Sequence, residues 1–339
     1  MRSFAIGALV IAAAATPALA NPTTGSASTG SASTAATGSA TTATTADGVT
    51  ERDRVDVAPS GHAFKQLSID NPLGDVTVEG YDGTTIRIET HKHAPDEDAL
   101  DRLRVSLVPS DDGTVRITTT ADPKDAEGKV LRRGAVRVDL VIRAPRDLRV
   151  DANVNAGKLD ISGMENGGDL DAATGPITVR HVSGALYTHT VSGATNLSEV
   201  SGSVDAQSLA SDVQLDTVSG EKLVASVDKG KIGGRRVRSR DIELTSTDGP
   251  IALEAEATLR GRIRVASLRG DLEVRLHRHG TALLVRATGA KVDLGAAAQQ
   301  ERAAAAGWHE AAFGDVAAAE AAAIELRSRY GNVVFAIVE

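Results

Sequence analysis

The sequence predicts an all-β fold, a parallel β-helix or β-solenoid built from short strand repeats. Three nine-residue segments, GALYTHTVS, GATNLSEVS and GSVDAQSLA, follow one another over residues 184–210, and each opens on glycine. Related segments at nine- to twelve-residue spacing extend the pattern over residues 157–290. Val, Ile, Thr, Ser and Gly dominate the repeats, a composition that favours strands over helices.

Two repeats form one predicted coil of about 18 residues, because positions 18 apart match best. Stacked about 4.8 Å apart, the matching positions should form apolar columns inside the solenoid. The predicted columns are Val182, Val200 and Val218; Ile177, Thr195 and Val213; and Ile161, Val179, Leu197 and Leu215. The crossover rule predicts a right-handed coil. A left-handed β-helix, with repeats of about six residues, does not fit this spacing.

The N-terminus predicts a signal peptide over residues 1–20. Arg2 precedes an apolar stretch over residues 4–15, and Ala18-Leu19-Ala20 forms a small-x-small cleavage site. Residues 21–50 are rich in Ser, Thr, Ala and Gly, which predicts a disordered linker.

A single β-solenoid domain is predicted over residues 51–339. Residues 55–150 should form N-terminal strands, with a short helix after Pro95, and residues 157–295 the regular coils. An Ala-rich insert, helical or a loose loop, occupies 296–323. Strands over 324–339 are expected to close the open edge of the solenoid.

Composition restricts the classes of function. The chain has no cysteine, which excludes disulfides, thiolate metal sites and a lipid-anchored N-terminal cysteine. A net charge of −8 argues against binding nucleic acid. The mature chain is predicted to contain no transmembrane helix. We therefore expect an exported protein of the periplasm, the outer envelope or the extracellular space.

Four segments resemble a bacterial family of exported β-strand-repeat proteins described as adhesin-like, related to the head GIN domain. They are NPLGDVTVEG, VDLVIRAPRDLRVDANVNAGKLDISG, ATGPITVRHVSG with the VSG series, and SRYGNVVF, within residues 60–339. The resemblance implies a parallel β-helical envelope protein of largely unknown function, without established catalytic residues to transfer. The Ala-rich insert departs from the family pattern.

The densest basic run is a candidate contact for anions such as lipid phosphates or acidic polysaccharide. Its residues are Lys229, Lys231, Arg235, Arg236, Arg238 and Arg240. The alternative is a ladder of cross-strand ion pairs, with Arg235 beside Glu254 and Glu243 beside Arg264. The matching offsets of these opposite charges favour the ladder.

No metal, cofactor or catalytic residue is predicted. His91 with His93 and His277 with His279 are weak candidate metal pairs, and the turns lack the repeated carboxylates of calcium-binding β-rolls. The aspartates of the repeats are expected not to converge: Asp160, Asp169, Asp171, Asp205, Asp212 and Asp216.

These patterns predict an exported, non-catalytic interaction or scaffold protein whose partner is an unidentified envelope or surface component. The alternative is an extracellular carbohydrate-active β-helix enzyme, a lyase or a hydrolase. Such enzymes need facing carboxylates and aromatic platforms for sugar rings. Aromatic residues make up only 2% of the chain.

Overall fold

The computed structural model describes residues 36–45, 48–59, 62–121, 135–295, 299–303, 307–315 and 320–338. The predicted signal peptide and residues 21–35 of the predicted linker lie outside these ranges. The sequence predicts a single domain over residues 51–339, and the structure divides the chain into two compact units. The N-terminal unit ends at Asn153 and the C-terminal unit begins at Val154. The all-β fold is confirmed.

The N-terminal unit contains antiparallel strand pairs and the parallel pairs β3 with β7 and β4 with β8, and β3 also pairs with β9. The antiparallel pairs are β1–β2, β2–β5, β5–β8 and β6–β7. The strands are β1 (Ala36–Thr45), β2 (Gly48–Val57), β3 (Gln66–Asn71), β4 (Val76–Tyr81), β5 (Ile86–Ala94), β6 (Leu103–Pro109), β7 (Thr114–Ala121), β8 (Arg137–Pro145) and β9 (Arg149–Ala156).

Two short segments of this unit test local predictions. The predicted short helix is confirmed as α1 (Glu97–Leu100), where the Asp96 side chain accepts a hydrogen bond from the Ala99 N–H at 2.7 Å. Residues 36–45, which the sequence assigns to a disordered linker, instead form strand β1. Pairing with β2 along the full length of β1 satisfies its backbone groups, and threonine is well suited to strands.

A buried ion cluster lies between β2 and β5. The ammonium of Lys92 donates hydrogen bonds to the carboxylates of Glu51 and Asp53, and all three residues are buried. Burial raises the pKa of Glu51, and the neighbouring Asp53 adds to the shift.

The C-terminal unit is built mainly from parallel strands. Among its described strands, only β24 pairs antiparallel, with β21 and β23. The strands are β10 (Leu159–Ser162), β11 (Gly168–Thr174), β12 (Ile177–Ser183), β13 (Leu186–Ser192), β14 (Thr195–Ser201), β15 (Val204–Ser208), β16 (Val213–Lys229), β17 (Ile232–Asp248), β18 (Ile251–Glu256), β19 (Arg262–Ser267), β20 (Leu272–His277), β21 (Leu283–Thr288), β22 (Val292–Asp293), β23 (Gln299–Ala303), β24 (His309–Phe313), β25 (Ala322–Ser328) and β26 (Val333–Val338).

The predicted apolar columns are confirmed in the strand register. Val182 pairs with Val200, which pairs with Val218, and all three side chains are buried. The longest column joins nine strands in the order Leu159, Ile177, Thr195, Val213, Ile232, Ile251, Leu272, Val333 and Val292. Leu197 and Leu215 align in the next column. The core of this unit therefore consists of stacked aliphatic side chains.

Glycines stack at the turns between strands. Gly202 has a φ of +130°, and a Cβ atom there would collide with the carbonyl oxygen of Gly184, 18 residues earlier in the chain. A second turn type has serine three residues before glycine. Ser328 Oγ accepts a hydrogen bond from the Gly331 N–H at 2.9 Å and donates one to the Gly270 carbonyl at 2.8 Å. The turns are thus held by backbone contacts that leave no room for larger residues.

The C-terminal strands do not occupy the place that the sequence predicts. The described part of the Ala-rich insert contains strands β23 and β24, where the sequence predicts a helix or loose loop. Strand β25, expected at an open edge, is hydrogen-bonded on both sides, to β19 and to β21. Strand β26 likewise lies between β20 and β22. An alanine helix would make its backbone hydrogen bonds within itself. Here the backbone of β24 makes them with β21 instead.

Candidate functional site

A groove of about 450 Å³ crosses five strands of the C-terminal unit, β16, β17, β19, β25 and β21. Alternate residues of these strands face the core, where Leu223, Ile242, Ile263 and Ile324 are buried. The residues between them point outward because side chains alternate across a sheet. The fold therefore places an outward row of side chains from each strand along the groove.

Two rows of side chains line the groove in strand register. The first row runs Lys222, Asp241, Arg262, Ala323 and Leu284. The second row runs Glu243, Arg264, Glu325 and Arg286, and continues to Glu310 on β24. Neighbours in a row are about 4.8 Å apart, the strand spacing. Opposite charges alternate along most of both rows.

Two arginines of the groove are firmly held by carboxylates. Arg262 donates two hydrogen bonds to Asp241, at 3.0 and 3.1 Å, and this contact lowers the pKa of Asp241. Arg286 pairs with Glu310 at 3.1 Å, and its guanidinium lies 4.9 Å from the centre of the Trp308 ring. These contacts fix the positions of both guanidinium groups.

The other charged groups of the groove are held loosely. Arg264 Nη1 lies 3.9 Å from Glu243, beyond hydrogen-bond distance. Within the described ranges, neither Lys222 nor the half-buried Glu325 has an ion-pair partner within 4.0 Å. Beside Glu325 the floor is apolar, with Ala323 and a Leu284 that is 47% exposed. The groove therefore offers one cation and one carboxylate without ion-pair partners among the described residues, a loosely paired arginine and a small apolar surface.

The predicted basic run is partly neutralised by ion pairs. Three of its arginines pair with separate carboxylates: Arg236 with Asp216, Arg238 with Glu256 and Arg240 with Glu221. Lys229, Lys231 and Arg235 are exposed elsewhere along the same chain segment. Anion binding by this run stays a prediction, and the ion pairs support the ladder interpretation.

The predicted ion ladder forms in one of its two places. Glu243 pairs in register with Arg264, as expected. Arg235 does not pair with Glu254, because the register between β17 and β18 shifts after Gly234. Glu254 instead contacts Nε2 of His277 at 3.3 Å.

The four histidines of the predicted pairs are not among the residues that line the groove. His91 is opposite Arg52 and Asp139 on the neighbouring strands, and His93 is opposite Arg137. The rings of His277 and His279 stack with centroids 6.2 Å apart. Across the residues that the structure describes, no three His, Asp or Glu side chains are grouped so that they could hold a metal.

The prediction that the repeat aspartates do not converge on one column is wrong for two of them. Asp169 and Asp205 flank Tyr187 in register, on strands β11, β15 and β13, and Asp171 lies close by. Burial, followed by the charge of Asp205, raises the pKa of Tyr187. Offsets counted within single repeats do not show which positions become neighbours across strands.

A family model places the chain among known proteins. The model named Toastrack DUF4097 matches residues 64–307. The chain belongs to this family. The resemblance to the adhesin-like family of β-strand-repeat proteins is thereby confirmed. None of the curated proteins matches the chain.

Several solved structures resemble this Toastrack protein at low identity. A “putative adhesin” from Parabacteroides merdae ATCC 43184 is 9% identical, with 85% of this chain and 96% of that one covered and a TM-score of 0.41. A second “putative adhesin”, from Bacteroides fragilis NCTC 9343, is 13% identical, with 84% and 96% covered and a TM-score of 0.41. A “putative lipid binding protein” from Parabacteroides distasonis ATCC 8503 is 9% identical, with 85% and 97% covered and a TM-score of 0.40.

Sequence reasoning missed the groove. Its residues come from segments around 222, 241, 262, 284 and 323, and no local motif connects them. Alternating charge in IELRSR and RIRVAS was the available signal, but it did not show that these segments are adjacent strands.

As for membrane-crossing helices, the described part of this Toastrack chain has none of sufficient length and apolarity.

Proposed function

We propose that this Toastrack protein is an exported, non-catalytic interaction protein that binds a component of the cell envelope or surface through its groove. The groove is the observation that carries this proposal, because its volume of about 450 Å³ falls within the range of ligand sites. Its unpaired Lys222 and Glu325 are groups that a ligand would satisfy.

The layout of the chain supports a role outside the cytoplasm. We infer removal of residues 1–20 as a signal peptide and a flexible linker between the cleavage site and the folded region. We also infer that residues 51–339 act as a single β-solenoid domain with right-handed coils of about 18 residues, each made of two nine-residue units. Hydrogen bonds between residues 18 apart, such as Gly193 with Ser211, support the coil length.

A binding role fits the groove better than catalysis does. General acid–base cleavage of a sugar chain needs two carboxyl groups on opposite sides of the scissile bond. Glu243 and Glu325 lie on the same face of the sheet, and the strand that carries Arg264 lies between their two strands. Asp241 is held by Arg262 and is not available as a proton carrier.

Two measurements test the proposal. N-terminal sequencing of protein from the periplasm or medium should give Asn21 as the first residue, and an intact Met1 in the cytoplasm would contradict export. The immobilised protein should retain an envelope component, and an Arg264→Gln, Glu325→Ala variant should retain much less of it. Shortened polysaccharide products after incubation with the wild type would instead favour the alternative, a carbohydrate-active enzyme.

A further inference from the structure

The groove contains donors and an acceptor that the protein itself leaves unused. Lys222 and Glu325 have no ion-pair partner within 4.0 Å among the described residues, and Arg264 is only loosely held at 3.9 Å from Glu243. Glu325 is flanked in register by two arginines, Arg264 and Arg286. Both interact with carboxylates on the other side, Glu243 and Glu310, so the Glu325 carboxylate stays available.

Lys222 and the loosely held Arg264 favour an anionic group on the ligand. The lining carries four cations, Lys222, Arg262, Arg264 and Arg286, and three carboxylates, and Glu310 beside Arg286 brings the two rows to neutrality. The whole chain has a net charge of −8, so this face is less negative than the chain as a whole. A purely anionic ligand such as phosphate would, however, be repelled by the unpaired Glu325.

A ligand that carries a carboxylate and hydroxyls together satisfies both kinds of group. Its carboxylate would accept hydrogen bonds from Lys222 and Arg264, and its hydroxyls would donate to Glu325. Leu284 and Ala323 would contact the apolar C–H face of a sugar ring. The open groove runs across strands, so successive rings could meet successive positions of the two rows.

We propose that the groove binds a short segment of an acidic, uronate-containing polysaccharide. This inference rests on the proposed function and names the chemical class of its ligand. Arg264 and Lys222 bind the uronate carboxylate, Glu325 accepts hydrogen bonds from ring hydroxyls, and Leu284 supports the ring. The firmly paired Arg262 and Arg286 hold the shape of the site.

Calorimetric titration with trigalacturonic acid, and with its carboxyl-reduced neutral counterpart, tests the proposal on the full mature chain. The acidic trisaccharide should bind more tightly than the neutral one, with an affinity that falls as salt rises. Arg264→Gln should weaken binding of the acidic trisaccharide about tenfold, through loss of one charge-assisted contact. Arg275→Gln is the matched control, because Arg275 is also ion-paired and its side chain is 57% exposed, against 59% for Arg264. It should leave binding within about twofold of the wild type.

Glu325→Ala separates sugar recognition from simple attraction of anions. If Glu325 accepts hydroxyl hydrogen bonds, this variant should bind both trisaccharides more weakly. If the groove only attracts negative charge, removing a carboxylate should tighten binding of the acidic one. Tighter binding by Glu325→Ala would overturn the proposal, as would equal binding of the two trisaccharides or no binding of either. Circular dichroism and urea unfolding should show that all three variants fold like the wild type.

The proposed function and this inference fail in different ways. If no saccharide binds but retention of an envelope component still depends on Arg264 and Glu325, the ligand class is wrong and the interaction function stands. If trigalacturonic acid binds as expected but the protein is retained in the cytoplasm with Met1 intact, the ligand class stands and export fails.

Discussion

Thr195→Val should make the protein more stable, although it changes a fully buried residue. Thr195 is 0% exposed and lies between Ile177 and Val213 in an aliphatic column. Its hydroxyl has no hydrogen-bond partner among the described residues. The folded protein has therefore removed this hydroxyl from water without replacing the lost hydrogen bond.

The expected gain follows from two contributions. An unsatisfied buried hydroxyl costs about 1–3 kcal/mol, and the methyl group of valine adds buried apolar surface. Because the side chains differ slightly in packing, we expect a net gain of about 1–2 kcal/mol in the free energy of unfolding. With a urea m value of about 3 kcal/mol/M, the midpoint should rise by about 0.3–0.7 M.

Equilibrium urea unfolding followed by far-UV circular dichroism measures this shift. Thr178→Val is the control, because Thr178 follows Ile177 on the same strand but points outward and is only half-buried. It should change the free energy of unfolding by no more than about 0.5 kcal/mol. A lower midpoint for Thr195→Val at an unchanged m value would refute the reasoning, because it would show that the native hydroxyl is satisfied.

Three further perturbations test the core, the turns and the buried ions. Val200→Asp, at a site only 1% exposed, should cost several kcal/mol and lower the melting temperature sharply; a wild-type melting curve would show that the column register is wrong. Gly202→Ala adds a collision with the backbone to a strained φ, so it should destabilise the protein more than Gly280→Ala does. At Gly280 φ is +81°, but no atom lies within 4 Å of the added Cβ. Equal urea midpoints for the two variants would contradict this. Glu51→Gln tests the raised pKa of Glu51. The folded state holds the Glu51 proton more tightly than the unfolded state, so the stability of the wild type should fall as pH rises above 4.5. Between pH 4.5 and 7 the variant should therefore gain stability relative to the wild type. A difference in unfolding free energy that stays constant with pH would contradict this.

The regular core could be predicted from the sequence because its register is set by a local period. Val182, Val200 and Val218 recur at a constant spacing, so stacking one coil on the next aligns them without further information. The same logic fails where the spacing changes. After Gly234 the register slips, and Arg235 loses the alignment with Glu254 that counting residues would give it.

The groove could not be predicted because it depends on which distant segments become neighbours. Glu325 lies between Arg264 and Arg286 only because β25 pairs with both β19 and β21. The Ala-rich stretch before β25 carries little pattern, so nothing local indicates where the following strand is placed. The grouping of Asp169 and Asp205 around Tyr187 was missed for a related reason, since it joins three successive coils.

The position of β25 has a consequence for how the chain is made. Residues 262–288 are synthesised before residues 322–328, yet β25 must fit between β19 and β21. These two earlier strands therefore wait with unpaired backbone groups until the later segment arrives, and during that interval they are open to pairing with other molecules. Folding of this region cannot proceed strictly from the N-terminus to the C-terminus. A nonsense mutation between β24 and β25 would remove a strand from the middle of the stack and leave β21 and β24 without their link to β19.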